Sequence, residues 1–267
     1  MRLHVTHKTT YFFVDPPSYG LQQVRLTPKF SSGQQVHTWS LSFEGATLQT
    51  EFTDQHNNQT HLIRIDEGVH EMTVKSEGSV TVEDKHGVVG KHGGFTPIWY
   101  FLRQTSLTHP GSGVSKLAAS FNEATGSQLE RLHGLSENIG ALVGYQTGQT
   151  TAVSTAEQAI TAGAGVCQDH AHIFISAVRK AGLPARYVSG YLMMNDRVAQ
   201  DATHAWAEVH LPDLGWTGFD VSNQISPDSR YVRVATGLDY SSAAPISGLT
   251  QGGTGESINV DIHVQQQ

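Results

Sequence analysis

The residue best suited to covalent chemistry is the only cysteine, Cys167, in the stretch Gly163-Ala164-Gly165-Val166-Cys167-Gln168-Asp169-His170-Ala171-His172-Ile173. Taken alone, a single cysteine reads as a small buried apolar residue with an inert thiol. Two later segments alter that reading. Ala202 to Val209 has the pattern of a strand carrying His204 beside Trp206, and Gly215 to Asp220 has that of a second strand ending in a carboxylate. The Pro212-Asp213-Leu214-Gly215 turn between them makes a hairpin, whose arms can bring His204 close to Asp220. A thiol nucleophile, an imidazole base and a carboxylate that orients the base form a nucleophilic triad.

The elements that must position these groups follow from periodicity. Ile173, Phe174, Ala177, Val178 and Ala181 recur at helical spacing, and Gly182 and Pro184 end the run. Cys167 is therefore predicted in the first turn of a largely buried helix, where free N–H groups and the helix dipole favour a thiolate. The preceding glycines permit a tight turn and close approach by a substrate. Arg186 to Leu192 reads as a buried strand, with Arg186 in a structural ion pair beneath the site. Trp206 either stacks on His204 or fills the core.

The blocks Gly165 to His172, Gly182 to Tyr191, Thr203 to Trp206 and Gly215 to Asp220 resemble, in residues and in order, the bacterial transglutaminase-like superfamily of papain-like cysteine enzymes. The resemblance implies Cys167 as nucleophile, His204 as general base and Asp220 as orienter. It implies an acyl transfer on the amide of a peptide or protein. Water as acceptor makes the enzyme a protease or amidase, which is the expected activity. An amine acceptor would make it a protein-glutamine transglutaminase. The reading from another class is a non-catalytic peptide-binding module. Where the family continues with Pro-Thr-Asn after the aspartate, this chain has Val221-Ser222-Asn223. Gly237-Leu238-Asp239-Tyr240 matches a family segment, with leucine in place of arginine. Arg25-Leu26-Thr27-Pro28 resembles the N-terminal region that accompanies the bacterial subfamily.

The expected fold class is α+β. Residues 1–84 alternate as short strands and predict a β-rich, sandwich-like N-terminal domain. Those strands include Val36 to Phe43, with His37, Trp39, Leu41 and Phe43 on the packed face. Residues 85–112 are a glycine-rich linker, whose apolar Pro97 to Leu102 run is expected to be buried between the domains. Residues 113–267 form the papain-like transglutaminase core, with helices packed on an antiparallel sheet. Within it, stripes at Val114 to Phe121 and Leu129 to Val143 predict helices, as does Ala156 to Ala162 capped by Ser154 or Thr155. Tyr231 to Ala235 and Ile258 to Val264 predict strands, with a flexible loop from Gly248 to Gly255.

Composition sets further bounds. The chain has 267 residues, 38% hydrophobic and 15% charged, as suits a soluble globular protein. A net charge of −7 argues against non-specific nucleic-acid binding. No apolar run is long enough to span a membrane, and the first residues lack a signal-peptide core. With no possible internal disulfide, the expected location is cytoplasmic. No cofactor is expected. Cys167, His170 and His172 cluster, but a helix turns position 172 away from the other two. No second cysteine or His-Glu-x-x-His pattern supports a metal, so His172 reads as a buried structural histidine.

Overall fold

The computed structural model describes residues 1–267. In chain order the elements begin with β1 (Arg2–Phe12), β2 (Tyr19–Val24), β3 (Gln34–Glu44), β4 (Ala46–Thr53), β5 (Gln59–Ile65), β6 (Glu71–Val82) and β7 (Val88–Gly90). A 3-10 turn (Ile98–Leu102) leads to α1 (Ser112–Glu123), α2 (Gln128–Leu142), β8 (Gly144–Tyr145), α3 (Ala156–Ala162), β9 (Ala164–Gly165) and α4 (Cys167–Lys180). Then come β10 (Ala185–Leu192), β11 (Ala199–Gln200), β12 (His204–Leu211), β13 (Gly215–Phe219), β14 (Tyr231–Gly237), α5 (Tyr240–Ala243), β15 (Ile246–Gln251) and β16 (Ser257–Gln266). The fold class is α+β, with antiparallel sheets throughout apart from the short parallel pair β8–β9.

Alternation along β1, β2, β5 and β6 turns one set of side chains inward from each of two sheets, ordered β11-β16-β1-β6-β3 and β15-β2-β5-β4. Tyr11, Val24, Ile63, Met72 and Val74 fill the space between them, making the sandwich. Farther along β1 and β6, Leu3, Val5 and Val80 pack instead on Val232 and Val234 of the next sheet. That sheet has the order β14-β10-β12-β13-β7. Its other face carries the helices, where Ile173, Phe174, Ala177 and Val178 of α4 meet Ala205, Ala207 and Val209 of β12. Each fully buried aliphatic or aromatic side chain there stabilises the fold by roughly 1.5–3 kcal/mol.

Several local readings change. A bulge in β3 between Val36 and Thr38 switches the alternation, so Val36 packs inward and His37 is exposed. In the apolar run before α1, Phe101 is buried against Trp216 and Leu238, but Trp99 is 65% exposed. Ile246–Gln251, read as partly loop, is a strand paired along its length with β2. It is mostly exposed, so its hydrogen bonds hold it and no burial pattern marks it. β4 escaped the pattern for the same reason, being exposed along nearly its whole length. β16 pairs with β1 from Leu3–Gln266 to Phe12–Ser257, returning the chain's end to the N-terminal sheet. β7, from the glycine-rich stretch, becomes the edge strand beside β13.

Candidate active site

The site begins at a turn that glycine makes possible. Gly163 ends α3 in the left-handed conformation, with φ of 64°. At Gly165, an added Cβ would lie 2.8 Å from the Asp169 side chain. That free space lets Asp169 fold back as the N3 residue of α4, where its Oδ2 accepts Val166 N–H at 2.8 Å and Thr150 Oγ1–H at 2.7 Å. The turn thus pinned, α4 starts at Cys167, as its apolar spacing predicts, and the thiol is partly exposed. The β8–β9 pairing aligns Tyr145 with Gly165, and the Tyr145 phenol sits in the field of Cys167 and Asp220. Burial first, then those two charges, raises its pKa.

His204 opens β12 and is 8% exposed. Its Nε2 donates to Asp220 Oδ2 at 2.6 Å, and the Cys167 thiol lies near enough to act on the ring. With Nε2 engaged, Nδ1 is the nitrogen left for the sulfur. Register explains the meeting with Asp220. Ala207 pairs with Phe219 across β12 and β13, so the next position sets Asp220 opposite Trp206, on the face that Trp206 shares with His204. Burial alone would lower the His204 pKa, but Asp220 and Cys167 beside the ring outweigh it and raise the value to about 10.

Asp220 is 1% exposed and fully partnered. Oδ2 also accepts Asn223 Nδ2–H at 2.7 Å and the Tyr231 hydroxyl at 2.8 Å, while Oδ1 accepts the N–H groups of Ser222 and Asn223. Burial disfavours the carboxylate, but these donors and His204 hold its pKa below the usual range. Val221-Ser222-Asn223 therefore makes the turn around the carboxylate without the family's proline. Trp206 takes both of its expected roles: it stacks near His204, with ring centroids 6.2 Å apart, and is 2% exposed in the core.

Cys167, His204 and Asp220 are thus brought together. The other candidates do not join this trio. His172 is buried and accepts the Tyr240 N–H at 3.1 Å. His170 pairs with Ser222 Oγ and the Val143 carbonyl. Asp239 caps α5. Arg186 pairs with Glu208 at 2.6 Å. Sequence reading missed Tyr231 as a partner of Asp220, because nothing local distinguishes it from any other aromatic strand residue. Asn223 carried a signal, its place directly after the Asp220 block.

The chain is similar to known proteins along nearly its whole length. Residues 115–221 match the transglutaminase-like superfamily, and residues 3–81 match the bacterial transglutaminase-like N-terminal region. An uncharacterised Mycobacterium tuberculosis protein is 29% identical over 290 residues, covering 98% of this chain and 91% of that one. A protein-glutamine γ-glutamyltransferase of Pseudomonas aeruginosa is 33% identical over 100 residues, covering 32% of this chain and 14% of its own. A Cytophaga hutchinsonii protein presented as a candidate cysteine protease shares the fold, with a TM-score of 0.76 at 20% identity, over 99% of this chain and 98% of that one. No helix is long and apolar enough to cross a membrane.

Proposed function

We propose that this chain, which belongs to the transglutaminase-like superfamily and carries a bacterial transglutaminase-like N-terminal region, is a cysteine hydrolase acting on amide bonds of peptides or proteins. The observation that carries the reading is His204, held between the Cys167 thiol and a carboxylate whose two oxygens are saturated with donors. In this scheme the Cys167 thiolate attacks the amide carbonyl, and the tetrahedral oxyanion faces the Cys167 N–H, which has no intrahelical acceptor in the first turn. His204 gives its proton to the departing amine, leaving a thioester on Cys167. Water then attacks the thioester. His204 takes one of its protons, the acid leaves, and the thiol is restored. Asp220 fixes the ring tautomer and stabilises the imidazolium.

The acceptor separates hydrolysis from amine transfer. The partial similarity to a γ-glutamyltransferase is the observation that favours transfer. An amide-release assay run with and without an added primary amine distinguishes the readings. Release that is unchanged by the amine, with free acid as the product, supports hydrolysis. An amine adduct makes the protein a transferase. No release from a broad peptide library, together with no covalent trapping of Cys167, would leave a binding module.

A further inference from the structure

A second pocket lies where the segment around Lys29 to Ser32 and the turn at His56 meet the outer face of the core sheet. It is a cleft of about 480 Å³, open to solvent, and no carboxylate lines it. Four cationic side chains do: Lys29, Lys91, Arg186 and Arg233. In a chain of net charge −7 this is a local reversal of sign. The acids nearby are buried behind the lining: Glu208, 0% exposed, beneath the arginines, and Asp54, whose Oδ1 accepts the His56 N–H.

We propose that this pocket binds a doubly charged oxyanion of the phosphate class, gripped by the free Nη groups of Arg186 and Arg233, with the Lys91 ammonium at the rim. The inference is independent of the thiol chemistry and uses none of its residues.

The argument starts from unsatisfied donors. Arg186 is 7% exposed, yet it bonds to protein through Nε alone, to Glu208 Oε2 at 2.6 Å. Arg233 spends Nε and Nη2 on the same glutamate and has Nη1 left. Arg179, a buried arginine with a purely structural place, contrasts with both: it donates to the carbonyls of Phe101, Ala185 and Leu238 and to Thr108 Oγ1. Guanidinium N–H groups left without a protein acceptor are costly unless something else supplies one. The Arg186 guanidinium is also held in place, since its Cζ lies 3.8 Å from the centre of the Trp216 ring. A stacked, immobile fork with its outer edge free suits a planar or tetrahedral oxyanion.

His56 forms part of the wall, its ring centroid 5.9 Å from those of Tyr100 and Phe101. Lys29 measures the surplus charge. Its Nζ is tied to the His56 and Asn57 carbonyls and to Asn58 Oδ1. Burial first, then Arg233 and Arg186, pull its pKa well below the ordinary lysine value. An anion between the arginines would relieve that repulsion. Phe30, 81% exposed on the rim, offers a flat apolar surface to whatever the phosphate is attached to.

The test is calorimetric titration of the full chain with inorganic phosphate, with acetate and chloride at matched ionic strength as controls. Phenyl phosphate provides a second arm. The expected result is saturable one-to-one binding of phosphate and none of chloride. Tighter binding of phenyl phosphate assigns a phosphate ester, and equal binding assigns the free ion. Arg186→Gln should weaken phosphate binding at least tenfold, about the loss expected for one charged hydrogen bond. Should that variant not fold, Lys91→Gln decides, because Lys91 is exposed at the rim and has no side-chain bond to lose; it too should weaken binding. Absence of saturable binding to the wild type overturns the proposal. So does acetate binding as tight as phosphate, or phosphate binding undiminished in the folded variants.

Discussion

Tyr231 donates its hydroxyl to Asp220 Oδ2 at 2.8 Å, the same oxygen that receives His204 Nε2 at 2.6 Å. The carboxylate that orients the imidazole is thus itself oriented from a neighbouring strand. Tyr231→Phe removes one charged hydrogen bond and leaves the ring packing in place. Because that bond helps hold the Asp220 pKa down, the acid limb of the kcat/KM profile should move to higher pH. The rate at neutral pH should fall by about tenfold, the scale of one hydrogen bond to a charge. An unchanged acid limb, measured over a pH series, would show that Tyr231 only packs.

Asp220 and Cys167 should fail in different ways. Cys167→Ala should abolish acyl-enzyme formation, as read by mass spectrometry after a substrate quench. Asp220→Asn keeps the thiol but presents an amide to His204, favouring the wrong tautomer. In a serine triad such a change costs roughly 10⁴ in kcat. Thiols are more acidic and lean less on the base, so a loss of about 10²-fold is expected here, with KM little changed.

His204 also links stability to pH. Its pKa is raised from 6.5 to about 10 in the folded chain, so folding favours the protonated ring. That contribution is complete below about pH 6.5 and is lost as pH rises through 10. Tm should therefore decline between pH 7 and 10 more steeply for the wild type than for His204→Ala. Parallel Tm curves for the two proteins would refute the linkage.

Gly190 pairs with His204 across β10 and β12. A Cβ there would lie 2.1 Å from the Val232 carbonyl and 2.7 Å from the Trp206 ring. Gly190→Ala should destabilise the fold by about 1–3 kcal/mol, the usual cost of overpacking. It should also push Trp206 against His204. Urea unfolding measures the first effect, and the rate of Cys167 alkylation measures the second. A stable variant that alkylates at the wild-type rate would mean that the sheet adjusts freely.

Sequence alone determined the local frame of the site. Helical spacing after Cys167 put the thiol at a helix start, and the turn at Pro212 to Gly215 made His204 and Asp220 members of one hairpin. These are short-range matters, decided by periodicity, turn residues and a register counted over a few positions. The β-rich character of the first third was legible in the same way, since alternation needs no knowledge of the partner strand.

Only the tertiary structure decided which distant strands became neighbours. Alternation states which face of a strand is buried, but not what lies beside it. Nothing in Tyr231 announces Asp220, and nothing in Ser257–Gln266 announces β1. Ile246–Gln251 is held by the edge of β2 through backbone hydrogen bonds, which any side chain can accompany and which therefore leave no mark in the residue pattern. Likewise Arg186 and Arg233 lie far apart in the chain, and it is the pairing of β10 with both β12 and β14 that sets the two cations around one buried glutamate.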